Sequence, residues 1–175
     1  MKRAMSWALL AAGTALAISA APAMPAAAAA SGGETLSGTI AFAAVPGTNT
    51  RTVISSVVVA KGAFRGAGRF VEVMFGDPVS QDDLVFRGGT LHVLSTVGES
   101  LSFHINPHSC VFTGTSKFAQ QVTGGTGKFA DATGSFTGTI SGRALLARNP
   151  DGSCSLTQMP RLEVDKFKES GTLGF

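Results

Sequence analysis

The chain has 175 residues, of which 22 are glycine and 12 phenylalanine, with two cysteines, no tyrosine and only 14% charged residues. This composition excludes a disordered tail and a coiled coil, and it is typical of one compact, β-rich domain. Lys and Arg number 14 against 11 Asp and Glu, but two of the basic residues lie at positions 2 and 3 and no basic cluster follows. We therefore expect no nucleic-acid partner.

The first thirty residues have the layout of a secretory signal peptide. Lys2 and Arg3 precede a long uncharged stretch that contains an apolar run over 7–20. Small residues near the end of this stretch fit an A-x-A cleavage site, which we place after Ala30. Two prolines would interrupt a membrane-spanning helix, and no stop-transfer pattern follows. The sequence thus predicts a secreted domain over 31–175 with no stable membrane anchor.

Beyond a short flexible lead at 31–34, the chain is predicted to form strands separated by Gly, Pro, Asn and Asp, without a sustained helical period. The clearest strand is 132–143. Its even positions are small or apolar and its odd positions are polar, as a half-buried strand requires. Further strands are predicted over 36–42, 52–61, 65–75, 84–95, 101–106, 110–122 and 155–164.

The two ends of the predicted domain carry near-identical segments, SGTIAF over 37–42 and SGTLGF over 170–175. Inward glycines would let a small barrel curve, and pairing of the first and last strands would remove the sheet edges. The alternative is that Ser-Gly-Thr is simply common in the strands of this chain. The pattern favours a single all-β domain, a closed antiparallel β-barrel of about eight strands.

Cys110 and Cys154 are the only cysteines, and in an exported protein such a pair favours a disulfide over a metal site or a catalytic thiol. If both residues began strands two apart in a simple meander, they would lie about 9.6 Å apart, too far for a bridge. We expect loops at the same rim of the barrel to close this gap.

The glycine cluster TGGTGKF over 123–129 does not meet the requirements of a phosphate-binding loop. The first glycine of that motif is replaced by Val122, and Phe129 follows the lysine where Ser or Thr is needed. A tight turn between two strands is the better interpretation. A serine-hydrolase elbow is absent as well.

Histidines and acids in two loops are not arranged for metal binding. His104 and His108 have a spacing that suits a helix, whereas the residues before them alternate as a strand. Asp77, Asp82 and Asp83 lack the ligand spacing of a calcium loop and are predicted to form a solvated turn. We therefore expect neither a metal nor another cofactor.

Residues 122–134, VTGGTGKFADATG, resemble the GGTGxFxxAxG signature of the dirigent and allene-oxide-cyclase-like superfamily of closed β-barrels with an internal cavity. The upstream segment FRGGTLHV, 86–93, is similar to the one that precedes the signature in dirigent proteins. Thr133 stands where plant dirigents usually carry Arg, so the likeness is rather to secreted bacterial members. It implies a barrel that holds a small apolar ligand and, if it is an enzyme, a cofactor-free cyclase or isomerase.

Two ionisable residues are candidates for an internal acid or base. Glu72 shares strand parity with Phe70, and His92 shares it with Phe86, so each is expected inside an apolar cavity. A carboxyl or imidazole with a perturbed pKa could serve there in a cyclisation or isomerisation. Glycines in both strands can introduce bulges that change this parity, which leaves a surface position as the alternative.

The inward phenylalanines bear on two functions that the sequence leaves open. Phe70, Phe86 and Phe136 are predicted to contact a small apolar ligand. If phenylalanines instead fill the interior, the chain is a non-catalytic structural or interaction protein. Apolar residues on both strand faces over 53–60 and 71–75 also favour an outer wall covered by another subunit in a homo-oligomer.

Overall fold

The computed structural model describes residues 31–76 and 78–175, so the predicted signal peptide lies outside the described residues. Each strand of this part pairs antiparallel with the next, and the last pairs with the first, which confirms the predicted closed, all-β barrel. No helix in the described part is long and apolar enough to cross a membrane. The strands are β1 (Ser31–Ala44), β2 (Arg51–Gly62), β3 (Arg65–Met74), β4 (Val79–Phe86), β5 (Gly89–Asn106), β6 (Val111–Gly125), β7 (Thr133–Leu145) and β8 (Leu162–Gly174).

The two end strands pair with each other, as their similar sequences predicted. Their register begins with Ser31 opposite Gly174 and continues along β1. The prediction of a flexible lead at 31–34 is therefore wrong, because these residues are part of the ladder. Glu34 is buried there, and its Oε2 accepts a hydrogen bond from the backbone N–H of Phe64 at 2.9 Å.

Three predicted strands differ from the structure by more than a shift of their ends. The segment 84–95 is not one strand but the end of β4, a tight turn and the start of β5. Gly88 has a φ of +96° in that turn, a backbone conformation that favours glycine. The segment 101–106 is the second half of β5, and most of 155–164 is a loop that precedes β8.

The disulfide predicted between Cys110 and Cys154 is present, with the two Cα atoms 5.3 Å apart. The expected separation of two strands does not arise, because Cys154 lies in the loop between β7 and β8 and not on a strand. This loop folds back through a single β-bridge between Arg148 and Cys154. The loop thereby brings Cys154 next to Cys110, which immediately precedes β6.

One end of the barrel is filled by phenylalanine rings, here named the phenylalanine plug. Phe64, Phe86, Phe129 and Phe175 pack edge to face, with ring centroids 4.9 to 6.4 Å apart. The ammonium of Lys128 lies 4.8 Å from the centroid of Phe64 and 4.7 Å from that of Phe129. Such packing gains both apolar burial and cation–π attraction, so this end is closed.

The glycine cluster between β6 and β7 holds the plug in place. It forms a 3₁₀ turn, Gly127–Phe129, in which the backbone N–H of Lys128 donates to the carbonyl of Gly88 at 2.9 Å. Gly127 has a φ of +58°, and a side chain on it would collide with the turn between β4 and β5. The two segments that carry the family resemblance therefore contact each other and seat Phe129 in the plug.

Two inward glycines lie against side chains of β8. A Cβ on Gly38 would collide with the backbone carbonyl oxygen of Val57 and would lie 2.6 Å from the ring of Phe167. A Cβ on Gly142 would lie 2.6 Å from Oδ1 of Asp165. The absence of a side chain at these two positions leaves room for Phe167 and Asp165.

Candidate functional site

The half of the barrel opposite the phenylalanine plug contains a cavity of about 260 Å³. All eight strands contribute to its wall, and residues at the strand ends, such as Arg51 and Glu163, form its mouth. Cavities for drug-sized ligands occupy roughly 300–1,000 Å³. The dimensions therefore suit a compact molecule of one ring and a short chain.

Aromatic side chains form much of the cavity wall. Phe42 and Phe70 meet edge to face with centroids 6.1 Å apart, and Phe118 and Phe167 do so at 6.2 Å. These four rings lie on β1, β3, β6 and β8, so they line different sides of the interior. The wall offers a ligand large apolar contact areas with little side-chain freedom.

Of the three phenylalanines predicted to contact a ligand, the structure places Phe70 in the cavity wall. Phe86 belongs to the phenylalanine plug and Phe136 is 1% exposed, and neither is part of the cavity lining. A molecule in the cavity would therefore contact Phe70 but neither of the other two.

Arg51 and its partners form the mouth of the cavity. The guanidinium donates to Oε1 of Glu72 at 2.7 Å and to Oε2 of Glu163 at 2.9 Å. It also lies 4.0 Å from the ring centroid of Phe42 and 4.5 Å from that of Phe75. Burial opposes the charge of Arg51, but the hydrogen bond to Glu72 and the nearby carboxylates raise its pKa above the ordinary value. Glu72, a predicted acid or base, is thus at the cavity but held in an ion pair.

Deeper in the cavity, two residues of its lining carry buried acceptor oxygens that have no partner. Asp82 is 4% exposed, and its Oδ2 accepts from the hydroxyl of Ser80 at 3.4 Å. Gln120 is 7% exposed, and its Nε2 donates to the hydroxyl of Ser95 at 2.9 Å. Oδ1 of Asp82 and Oε1 of Gln120 find no hydrogen-bond partner among the described residues. Burial without a partner is costly for such atoms.

The cavity carries an excess of acidic groups. Its described lining includes four carboxyls, of Glu72, Asp82, Glu163 and Asp165, and one cationic side chain, that of Arg51. Burial raises the pKa of Asp82 to about 6 and the pKa of Asp165 to about 7. The charge of Glu163 contributes to the raised pKa of Asp165, and Arg51 opposes it. The pKa of Asp82 is limited by hydrogen bonds with the hydroxyls of Ser95 and Ser80 and by the charge of Arg51. At neutral pH the lining therefore retains net negative charge.

His92, expected on the inner face, lies on the outer face. Its Nδ1 is 2.6 Å from Oδ1 of Asp83, the residue opposite it in the ladder, and its side chain is 42% exposed. Leu91 and Val93 beside it point inward and are buried. The prediction is wrong because 84–95 is not one strand, and the turn between β4 and β5 exchanges the inward and outward positions. A catalytic role for His92 would require a substrate on the outer surface.

The solvated turn predicted for Asp77, Asp82 and Asp83 is also corrected, since Asp82 and Asp83 lie within β4. Asp77 lies outside the described residues. Asp82 points inward because it lies two residues before the buried Leu84 and therefore on the same face of the strand. Asp165 is related in the same way to Phe167 on β8. This period of two was present in the sequence and could have identified both acids. No local pattern would have identified Gln120 as an unpartnered acceptor.

Another buried carboxyl lies in the interior outside the cavity lining. Glu169 on β8 is 2% exposed, and both its oxygens are without a hydrogen-bond partner in the described part of the chain. Burial raises the pKa of Glu169 to about 8. The side chain is therefore largely protonated at neutral pH, which lowers the cost of its burial.

Within residues 31–76 and 78–175, no group of three or more His, Cys, Asp or Glu residues is arranged to hold a metal ion. Comparison of the chain with protein-family models, curated proteins and solved structures found no match. The cavity itself is thus the observation from which a function can be inferred.

Proposed function

We propose that this protein is an exported, disulfide-bonded barrel that binds a small molecule with an apolar body in the open half of its interior. The observation that carries the proposal is the cavity of about 260 Å³, with aromatic walls and a mouth at the end opposite the phenylalanine plug. A shaped apolar cavity with a few convergent polar groups is the usual form of a small-molecule site.

The unpartnered acceptors support binding over a purely structural interior. A barrel core with no ligand gains nothing from burying Oδ1 of Asp82 and Oε1 of Gln120 without donors. A ligand that donates hydrogen bonds would remove this cost. The alternative, a non-catalytic structural or interaction protein with a filled barrel, is supported by the packed half around the phenylalanine plug.

Two features of the sequence also support the proposal, the predicted signal peptide and the resemblance to a barrel superfamily. The predicted signal peptide precedes a domain whose two cysteines form a disulfide, as in proteins of oxidising compartments. The resemblance of 122–134 to the dirigent and allene-oxide-cyclase-like signature implies a ligand inside the barrel.

The same resemblance implies a cofactor-free cyclase or isomerase as the enzymatic form of this function. If the ligand is converted, we expect Asp82 to exchange the proton, because it is part of the cavity lining and one of its oxygens has no partner. Glu72 is less suited to that role, since the guanidinium of Arg51 occupies its carboxylate. A pKa of about 6 for Asp82 is in the range in which a carboxyl can act as acid and base near neutral pH.

The proposal is tested by filling the cavity. Ile140 lines it, whereas Ile54 is 55% exposed on the outer face, so Ile140→Trp and Ile54→Trp form a matched pair. Binding of phenylbutanol, naphthylmethanol and geraniol to the exported protein would be measured by calorimetry and thermal stabilisation. Each variant also gains the single tryptophan of residues 31–175, whose fluorescence reports on the site.

We expect at least one of these alcohols to bind with one-to-one stoichiometry to the unmodified protein and to Ile54→Trp. The affinity of Ile140→Trp should be at least about tenfold lower, a change of about 1.4 kcal/mol. Equal affinities of the two tryptophan variants, or no binding of any alcohol to the unmodified protein, would contradict the proposal.

A further inference from the structure

We infer that the cavity selects a cationic ligand, a small primary amine with an apolar body whose ammonium group binds between Asp82 and Gln120. The inference rests on the proposed ligand-binding function and names the chemical class of the ligand. Three observations support it: the free acceptors, the charge of the lining and the way in which the cavity already holds a cation.

The buried side-chain atoms of the lining that lack a partner are acceptors. Oδ1 of Asp82 and Oε1 of Gln120 belong to residues that line the cavity, and neither atom has a donor among residues 31–76 and 78–175. An ammonium group has three donors and no acceptor, so it can satisfy both atoms at once. A ligand carboxylate would place further acceptors against them, and a hydroxyl has only one hydrogen to donate.

The charge of the lining favours the same ligand. Arg51 is engaged by Glu72 and Glu163 at the mouth. Asp82 and Asp165 form no ion pair with any residue that the structure describes, although both line the same cavity. An interior site of low polarity attracts a cation to such carboxylates more strongly than water-exposed carboxylates do. A cationic ligand would supply the positive charge that the lining lacks.

The mouth shows that the walls of this cavity can hold a cation. The guanidinium of Arg51 is bound by two carboxylates and by the faces of Phe42 and Phe75. The rest of the lining offers the same kinds of group, the carboxyls of Asp82 and Asp165 and the rings of Phe70 and Phe167. Aromatic faces attract cations when both are withdrawn from water, and they also contact the apolar body of a ligand.

The inference is tested with three probes that share one apolar body: phenylbutylamine, phenylbutanol and phenylbutyrate. Calorimetry at about pH 8 keeps the alkylamine protonated and Asp82 ionised. We expect the amine to bind at least about tenfold tighter than the alcohol, because hydrogen bonds to charged groups are stronger than neutral ones. The butyrate should bind most weakly of the three.

The matched variants are Asp82→Asn and Asp83→Asn, which alter neighbouring residues on opposite faces of β4. Asp82→Asn should weaken binding of the amine at least about tenfold and that of the alcohol less than about threefold. Asp83→Asn should leave both affinities within about twofold, because Asp83 contacts His92 outside the barrel. Gln120→Met is a second test of the site and should also weaken the amine more than the alcohol. Circular dichroism and an unfolding midpoint establish that each variant is folded.

The outcomes separate this inference from the function on which it rests. If the alcohol binds and the amine binds no tighter, the preference for a cation is wrong while the ligand-binding function stands. If the amine is preferred but neither Asp82→Asn nor Gln120→Met weakens it, the proposed position of the ammonium is wrong. If none of the three probes binds, the ligand-binding function fails, and the inference fails with it.

Discussion

Replacing Glu169 with Gln should stabilise the barrel above neutral pH and leave it nearly unchanged in acid. Both oxygens of Glu169 are buried with no partner in the described part of the protein, so ionisation places an unpaired charge in the interior. Glutamine has nearly the same shape as a protonated glutamate but cannot ionise. The other buried acids are the same in both proteins. The difference in their free energies of unfolding therefore reports the cost of ionising Glu169 alone.

The magnitude follows from the pKa of Glu169, which burial raises from 4.5 to about 8. Between these two pH values the folded protein holds a proton that the unfolded chain has released, so stability falls as pH rises. At about 1.4 kcal/mol per pH unit, the loss reaches about 5 kcal/mol near pH 8 and is constant above it. The Gln variant should lack this loss. Its advantage in the free energy of unfolding should grow from near zero at about pH 4.5 to about 5 kcal/mol at about pH 8.

The assay is urea unfolding at a series of pH values, followed by far-ultraviolet circular dichroism because residues 31–175 contain neither Trp nor Tyr. Glu99→Gln is the control, since the side chain of Glu99 is 73% exposed and pairs with Lys117 at the surface. Its stability should parallel that of the unmodified protein at every pH. If the curves of Glu169→Gln and the unmodified protein also stayed parallel, Glu169 would not be held in a dry, unpartnered site, and the reasoning would be refuted.

Two further predictions concern the scaffold. Reduction of the disulfide, or substitution of both Cys110 and Cys154 with Ser, should lower the free energy of unfolding by about 4 kcal/mol. The reason is that the bridge closes a loop with a sequence separation of 44. An unchanged urea midpoint would contradict this prediction. Gly38→Ala should destabilise the barrel by at least about 1–3 kcal/mol, since its Cβ would collide with the backbone carbonyl oxygen of Val57 and lie 2.6 Å from the ring of Phe167. Gly33→Ala, where a Cβ meets nothing within 4 Å, is the matched control, and equal unfolding midpoints for the two variants would be incompatible with this close packing around Gly38.

Part of the candidate site could be predicted from the sequence and part could not. Phe70 and Glu72 lie on the wall of the cavity, as their alternation within one strand indicated. His92 was misplaced because its assignment extended parity through an unrecognised turn. Parity is a local property that holds only inside a continuous strand, so each turn between strands has to be located before the next face can be assigned.

The positions of Phe86 and Phe136 depend on a property that strand alternation does not predict, the depth of a residue along the barrel axis. Both residues are buried in the interior, as predicted, but neither is part of the cavity lining. The period of two indicates the inner face of a strand, yet it does not give the depth along the barrel axis. That depth depends on the stagger of all eight strands, which long-range pairing sets.

The sequence by itself determined the all-β class, the pairing of the two end strands and the disulfide, because alternation, turn residues and cysteine number are properties of short segments or simple counts. Only the tertiary structure decided which inward residues pack as a plug and which surround a cavity. It also decided that Asp82 and Gln120 lack donors, because a polar side chain is unpartnered only in relation to strands distant in sequence.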